Sequence, residues 1–125
     1  LREVLTENPE IAEINYSLAL LLAEAGRYDE SRKFFLRAAE MIPQQPRILY
    51  NLGLLENSLG NKAAAEENLL KALSRDPDNY DFLYALATFY LEHKQNSKAM
   101  LYARKLAEKF PENQAGKQLM EAANR

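Results

Sequence analysis

At 125 residues the chain holds material for one domain, and its 47% hydrophobic and 27% charged content is that of a folded, water-soluble protein rather than a disordered one. A net charge of −2 with interspersed signs argues against nucleic acid, whose binding rests on clustered Lys and Arg. The absence of cysteine excludes a disulfide framework, a thiolate nucleophile and a zinc site built on sulfur, and no run of about 18 apolar residues is present to span a membrane.

Residues 1–8 come first, with Val4 and Leu5 apolar among charged neighbours. From there the chain is periodic. Pro9, Pro43, Pro77 and Pro111 are evenly spaced, and the same interval divides the chain into three blocks, 12–45, 46–79 and 80–113. A fixed period of about 34 residues is the mark of a repeat solenoid, in which each unit must stop at the same point before the next begins. Position 7 of the block is Leu18, Leu52 and Leu86, and position 8 is Ala19, Gly53 and Ala87. Position 20 is Ser31, Ala65 and Ala99, again always small.

Each block predicts two helices around a turn. Gly26 and Gly60 suit the left-handed conformation that ends a first helix, and Asn61 is placed to cap the second. Proline at position 32 stops the second helix, since it lacks a donor and keeps its predecessor out of helical geometry. Asp78 and Asn79 then stand ready to cap the next first helix. The third block has Lys94 where the others have glycine, so its turn is expected to be strained or differently shaped. Residues 114–125 predict a closing helix, with Ala115, Leu119 and Ala122 or Ala123 on one face and Lys117, Glu121 and Arg125 outside it. The start has no comparable lid, although Val4 and Leu5 are expected to cover part of that edge. It opens at Leu1 without methionine, from which the array is expected to continue upstream.

Leu at 7, small residues at 8 and 20, large residues such as Phe35 and Leu69 at 24, and Pro at 32 together resemble the tetratricopeptide repeat family. The likeness covers three full repeats, with 1–8 as the end of a preceding one and 114–125 as a capping helix. It implies an all-α, right-handed superhelical solenoid of antiparallel hairpins. Three departures stand out. Asn15 occupies position 4 where a large apolar residue is usual. Glu56 occupies position 11 where a ring is usual, and reads as a solvated edge residue or half of an ion pair, with a partner contact as the sharper alternative. In the third repeat Ala103 and Leu106 reverse the size order of Phe35 and Ala38, which reads as a compensating exchange of volume.

The resemblance also implies a concave groove lined by the first helix of each repeat. Mapped here, the groove residues are Tyr16, Leu20, Arg47, Tyr50, Asn51, Leu54, Asp81, Tyr84 and Thr88. Tyrosines at position 5 offer contact area and a hydroxyl at little entropic cost. They can equally serve as packing between successive helices. The family's chaperone-tail clamp uses Lys at 5 and Asn at 9, then Asn at 6, then Lys at 2 and Arg at 6. This chain has Tyr16, Leu20, Asn51, Asp81 and Ala85 there, so only Asn51 fits and such tails are not the expected ligand. The single histidine, His93, lies by a turn with no second histidine or thiol to complete a metal site. The expected function is therefore a non-catalytic scaffold that binds a protein or peptide and needs no cofactor or metal. A structural spacer or self-associating element of a larger protein is the alternative.

Overall fold

The computed structural model describes residues 9–125, so the segment 1–8 lies outside the described residues. Among the described residues there are seven α-helices and no strand, as the all-α expectation requires. They are α1 (Pro9–Glu24), α2 (Tyr28–Met41), α3 (Pro46–Ser58), α4 (Lys62–Arg75), α5 (Tyr80–Glu92), α6 (Asn96–Lys109) and α7 (Ala115–Ala123). Two compact units divide within α4, one reaching Asn68 and the other starting at Leu69.

In the first unit α1 and α2 form a hairpin across a turn in which Gly26 takes φ +79°. The small residues let the two helices come close, as their spacing implies. Ala19 and Ser31 are fully buried, and the Ser31 hydroxyl donates to the Ala19 carbonyl at 2.6 Å, tying the two helices together. Phe35 of α2 joins Ala19 with Leu52 and Leu55 of α3 in one core cluster. Asn15 is buried as well, and its amide donates to the Ile11 carbonyl at 2.9 Å, so a polar residue replaces an apolar one without leaving that donor unpaired.

In the second unit Leu83, Leu86 and Ala87 of α5 and Ala99, Ala103 and Leu106 of α6 are almost fully buried. Burial of both Ala103 and Leu106 matches that of Phe35 and Ala38 in α2, as the volume exchange predicts. The Asn79 side chain accepts from the Phe82 amide at 3.1 Å and caps α5. Asp78 plays no part in that cap; it is exposed and pairs with Lys109 at 3.3 Å. The closing helix α7 buries Gly116, Leu119 and Ala123.

Helices α2, α4 and α6 each end two residues before the repeated proline. The first proline behaves differently. Pro9 opens α1 as its first residue, where a missing donor costs nothing, so α1 starts three residues before the block boundary at Ala12. The turn without glycine keeps the shape of the others, because Lys94 itself takes φ +58°. A side chain in that region is strained. Lys94→Gly is expected to raise stability by about 0.5–1 kcal/mol, the strain relieved less the entropy glycine adds to the unfolded chain, as measured by urea denaturation.

Position 7 is not alike in the three repeats. Leu52 and Leu86 are buried at position 7, but Leu18 is 39% exposed. Leu52 shares its core with Phe35 of the preceding second helix, α2, and no described element lies before α1.

Candidate functional site

In the first unit a cleft of about 280 Å³ opens beside α1, α2 and α3. Leu20, Phe35, Leu54 and Leu55 give it an apolar floor, and Glu24, Asn51 and Ser58 supply polar groups. Three expected groove residues, Leu20, Asn51 and Leu54, therefore meet at one place. Helical spacing explains the convergence: Asn51, Leu54 and Ser58 lie at i, i+3 and i+7 on one face of α3.

Tyr16 adjoins this group. Its hydroxyl accepts a 2.7 Å hydrogen bond from the Asn51 amide, which also donates to the Arg47 carbonyl at 3.1 Å. The Tyr16 ring meets Phe35 edge-on at 6.0 Å. Burial raises the Tyr16 pKa above its ordinary 10.0, opposed by the Asn51 hydrogen bond. The phenol is thus a neutral hydroxyl at physiological pH, held in place by both ring and oxygen. Both of these Asn51 bonds come from its nitrogen, and the carbonyl oxygen of the same side chain is an acceptor at the cleft that Asn51 lines. The Arg47 guanidinium lies 5.6 Å above the Tyr50 ring, a cation–π arrangement that orients both side chains.

The remaining expected residues stand on α5 in the second unit. Tyr84 is 42% exposed and stacks on Tyr80 with ring centres 6.1 Å apart. The Thr88 hydroxyl lies 3.0 Å from the carbonyls of Tyr84 and Ala85, so its proton is used within the helix. Asp81 is exposed in the first turn of the same helix. His93 follows the end of α5, its ring 4.5 Å from that of Phe89. Among the described residues no three His, Cys, Asp or Glu side chains cluster as metal ligands, and no helix is long and apolar enough to cross a membrane.

Five cleft residues were not singled out from the sequence: Ala23, Glu24, Tyr28, Leu55 and Ser58. Ala23 occupies position 12, and Glu24 and Ser58 occupy position 13, which the likeness to the repeat family implies face inward, so that likeness could have named them. Tyr28 could not be found that way. It starts α2, and its approach depends on the path of the turn at Gly26.

The helical hairpins recur at the interval of the prolines, and the sequence profile of the tetratricopeptide repeat matches residues 10–78, with a second such profile matching 58–123. The chain belongs to the tetratricopeptide repeat family. A TPR repeat-containing protein of Pseudomonas aeruginosa is 36% identical over 80 residues, 63% of this chain and 14% of the relative. One from Treponema pallidum is 35% identical over 66 residues, 51% of this chain and 28% of the relative. This chain thus spans well under a third of the curated relatives it matches. Among solved structures, the first tetratricopeptide domain of Spaghetti (RPAP3), bound to the HSP90 peptide SRMEEVD, superposes with a TM-score of 0.84 at 14% identity, covering 94% of this chain and 93% of that one. The Yersinia enterocolitica secretion chaperone SycD, in complex with a peptide of the translocator YopD, gives 0.80 at 20% identity, covering 90% and 91%. At such identities the likeness is one of fold.

The tetratricopeptide pattern also frames Glu56. At position 11 the third repeat buries Tyr90, stacked on Tyr102 at 5.7 Å, and the middle repeat buries a carboxylate instead. Glu56 is 2% exposed, so it is neither a solvated edge residue nor open to a partner. Its Oε1 accepts from Arg32 Nε at 2.9 Å and from Asn61 Nδ2 at 2.9 Å. The ion-pair alternative holds, and the bond raises the Arg32 pKa further above its usual value. Asn61 is anchored by this contact just ahead of α4. The pair replaces a ring by joining α2, α3 and the turn between α3 and α4, which a distant sequence partner 24 residues away does not reveal.

Proposed function

We propose that this chain is a non-catalytic interaction module that holds an extended segment of a partner protein on its first helices, with the cleft of the first unit as the principal contact. The observation that carries this reading is the convergence of Leu20, Leu54 and Phe35 beneath Asn51. An apolar side chain of the partner enters between the leucines, and the Asn51 carbonyl oxygen accepts from the partner's backbone. Tyr16 fixes the Asn51 amide, so little freedom is lost on binding. Structural neighbours that carry peptides of HSP90 and of YopD support peptide binding in general.

Chaperone tails are not the proposed ligand. The positions that would hold their terminal carboxylate carry Tyr16, Leu20, Asp81 and Ala85, and Asp81 would repel it. The peptide SRMEEVD is expected to give no measurable fluorescence-polarisation signal at concentrations where a peptide selected from a random library binds. For that selected peptide, Leu54→Glu and Asn51→Ala are each expected to weaken binding tenfold or more, about 1.4 kcal/mol. Unchanged affinity in both, with helical circular dichroism retained, would remove the cleft from consideration. A spacer or self-associating element is the rival reading, favoured by the exposed apolar face of α1. A mass that does not change with concentration in light scattering would count against it.

A further inference from the structure

Two departures from the repeat pattern fall on one place in the first hairpin. Position 4 of the block holds Asn15 where the later repeats have Leu49 and Leu83. Position 30 holds Met41 where they have Arg75 and Lys109, cations that suit the C-terminal turn of a helix. Met41 is the last residue of α2, and Asn15 lies in the second turn of α1. The two meet at the open end of the hairpin, away from the Gly26 turn.

The partners in that contact are unequal. Asn15 is 8% exposed, and its amide nitrogen has two protons to place. One goes to the Ile11 carbonyl at 2.9 Å. The other faces the Met41 Sδ at 3.8 Å, and a thioether is a weak acceptor. A buried donor is thus spent on a poor partner, a cost that the leucines at position 4 of the later repeats do not carry. Met41 itself is half-buried, so a small oxidant reaches its sulfur.

Oxidation of the sulfur removes the inequality. A sulfur lone pair attacks one oxygen of a peroxide, the O–O bond breaks, and the other oxygen leaves as water or an alcohol. Sulfur is oxidised by two electrons and the peroxide is reduced by two. The sulfoxide is polar, and in a packed setting it ordinarily disrupts its surroundings. Here its oxygen is a strong acceptor beside an N–H already directed at the sulfur. The unbranched methionine side chain turns to bring that oxygen within ordinary N–H···O reach.

We propose that Met41 is a reversible oxidation site, and that the Asn15 amide holds its sulfoxide so that the first hairpin stays folded in both states. A thiol-dependent methionine sulfoxide reductase restores the thioether: two thiols become a disulfide and the oxygen leaves as water.

The chain has three methionines and no cysteine, so in Met100→Leu/Met120→Leu the Met41 sulfur is the one left for peroxide. The full chain with these two changes is treated with hydrogen peroxide, and mass spectrometry follows uptake of a single oxygen. Oxidation is expected to shift Tm by less than about 1 °C, and to lower it by about 4 °C or more when Asn15→Leu is added. With Asn15 in place, its side-chain amide proton resonance is expected to move downfield on oxidation and to return after treatment with a methionine sulfoxide reductase and dithiothreitol. Equal Tm losses with and without Asn15, or an amide resonance that does not move, would overturn the proposal. So would a Met41 that stays reduced under conditions that consume free methionine.

Discussion

Phe35→Ala is expected to cost the first unit about 3–5 kcal/mol, a large share of the stability of a domain this size. The ring is 1% exposed and stands where three structural roles meet. It fills the cluster with Ala19, Leu52 and Leu55, it receives the edge of Tyr16 at 6.0 Å, and it forms part of the cleft floor. Truncation removes the contact surface of α2 on α3 and leaves a cavity that neighbouring helices cannot close without moving their small-residue contacts. Phe35→Leu keeps most of the volume, as Leu69 does at the same position of the next repeat, and should cost under about 1.5 kcal/mol. Urea denaturation of both variants would decide the matter. A loss below about 1 kcal/mol for the alanine variant would mean that hairpin stacking does not depend on this residue.

Gly116→Ala is the second substitution with a large expected effect. The new methyl would lie 2.6 Å from both the Cα and N of Ala107 and 2.8 Å from its Cβ. Main-chain atoms of α6 cannot rotate aside as a long side chain would, so α7 must shift as a whole. The expected cost is about 1–3 kcal/mol, with the larger end for Gly116→Val. Hydrogen exchange should show the difference in place: faster exchange of α7 amides, with α1 and α2 unaffected. Retained protection of α7 in Gly116→Val would show that the close approach to Ala107 is not needed to hold the capping helix.

The two substitutions mark different degrees of legibility. Phe35 could be read from the chain, because its apolar bulk recurs in register with Leu69 and opposite small residues at fixed spacing. Gly116 could not. It stands where the pattern has Ile48 and Phe82, and only the nearness of α6 explains why the last helix tolerates no side chain there. The same contrast runs through the polar residues. Asn79 reads as a cap because capping is local, whereas Asp78 pairs with Lys109 at the far end of α6, and Glu56 pairs with Arg32 across a helix boundary. In the cleft, Leu20, Asn51 and Leu54 follow from the repeat phase. Tyr28 enters through the geometry of a turn.

The sequence by itself determined the family, the helices and their stopping points, and the register in which Leu52 and Leu86 are buried. These follow from periodicity, since small, large and helix-ending residues recurring at the same place in every block admit one local arrangement. Only the tertiary structure decided that Leu18 is left open, that Glu56 is enclosed, and that Lys94 adopts a glycine's conformation in its turn. Burial and pairing depend on which element lies alongside. A repeat pattern assigns the same neighbours to every copy, whereas no described element lies before α1.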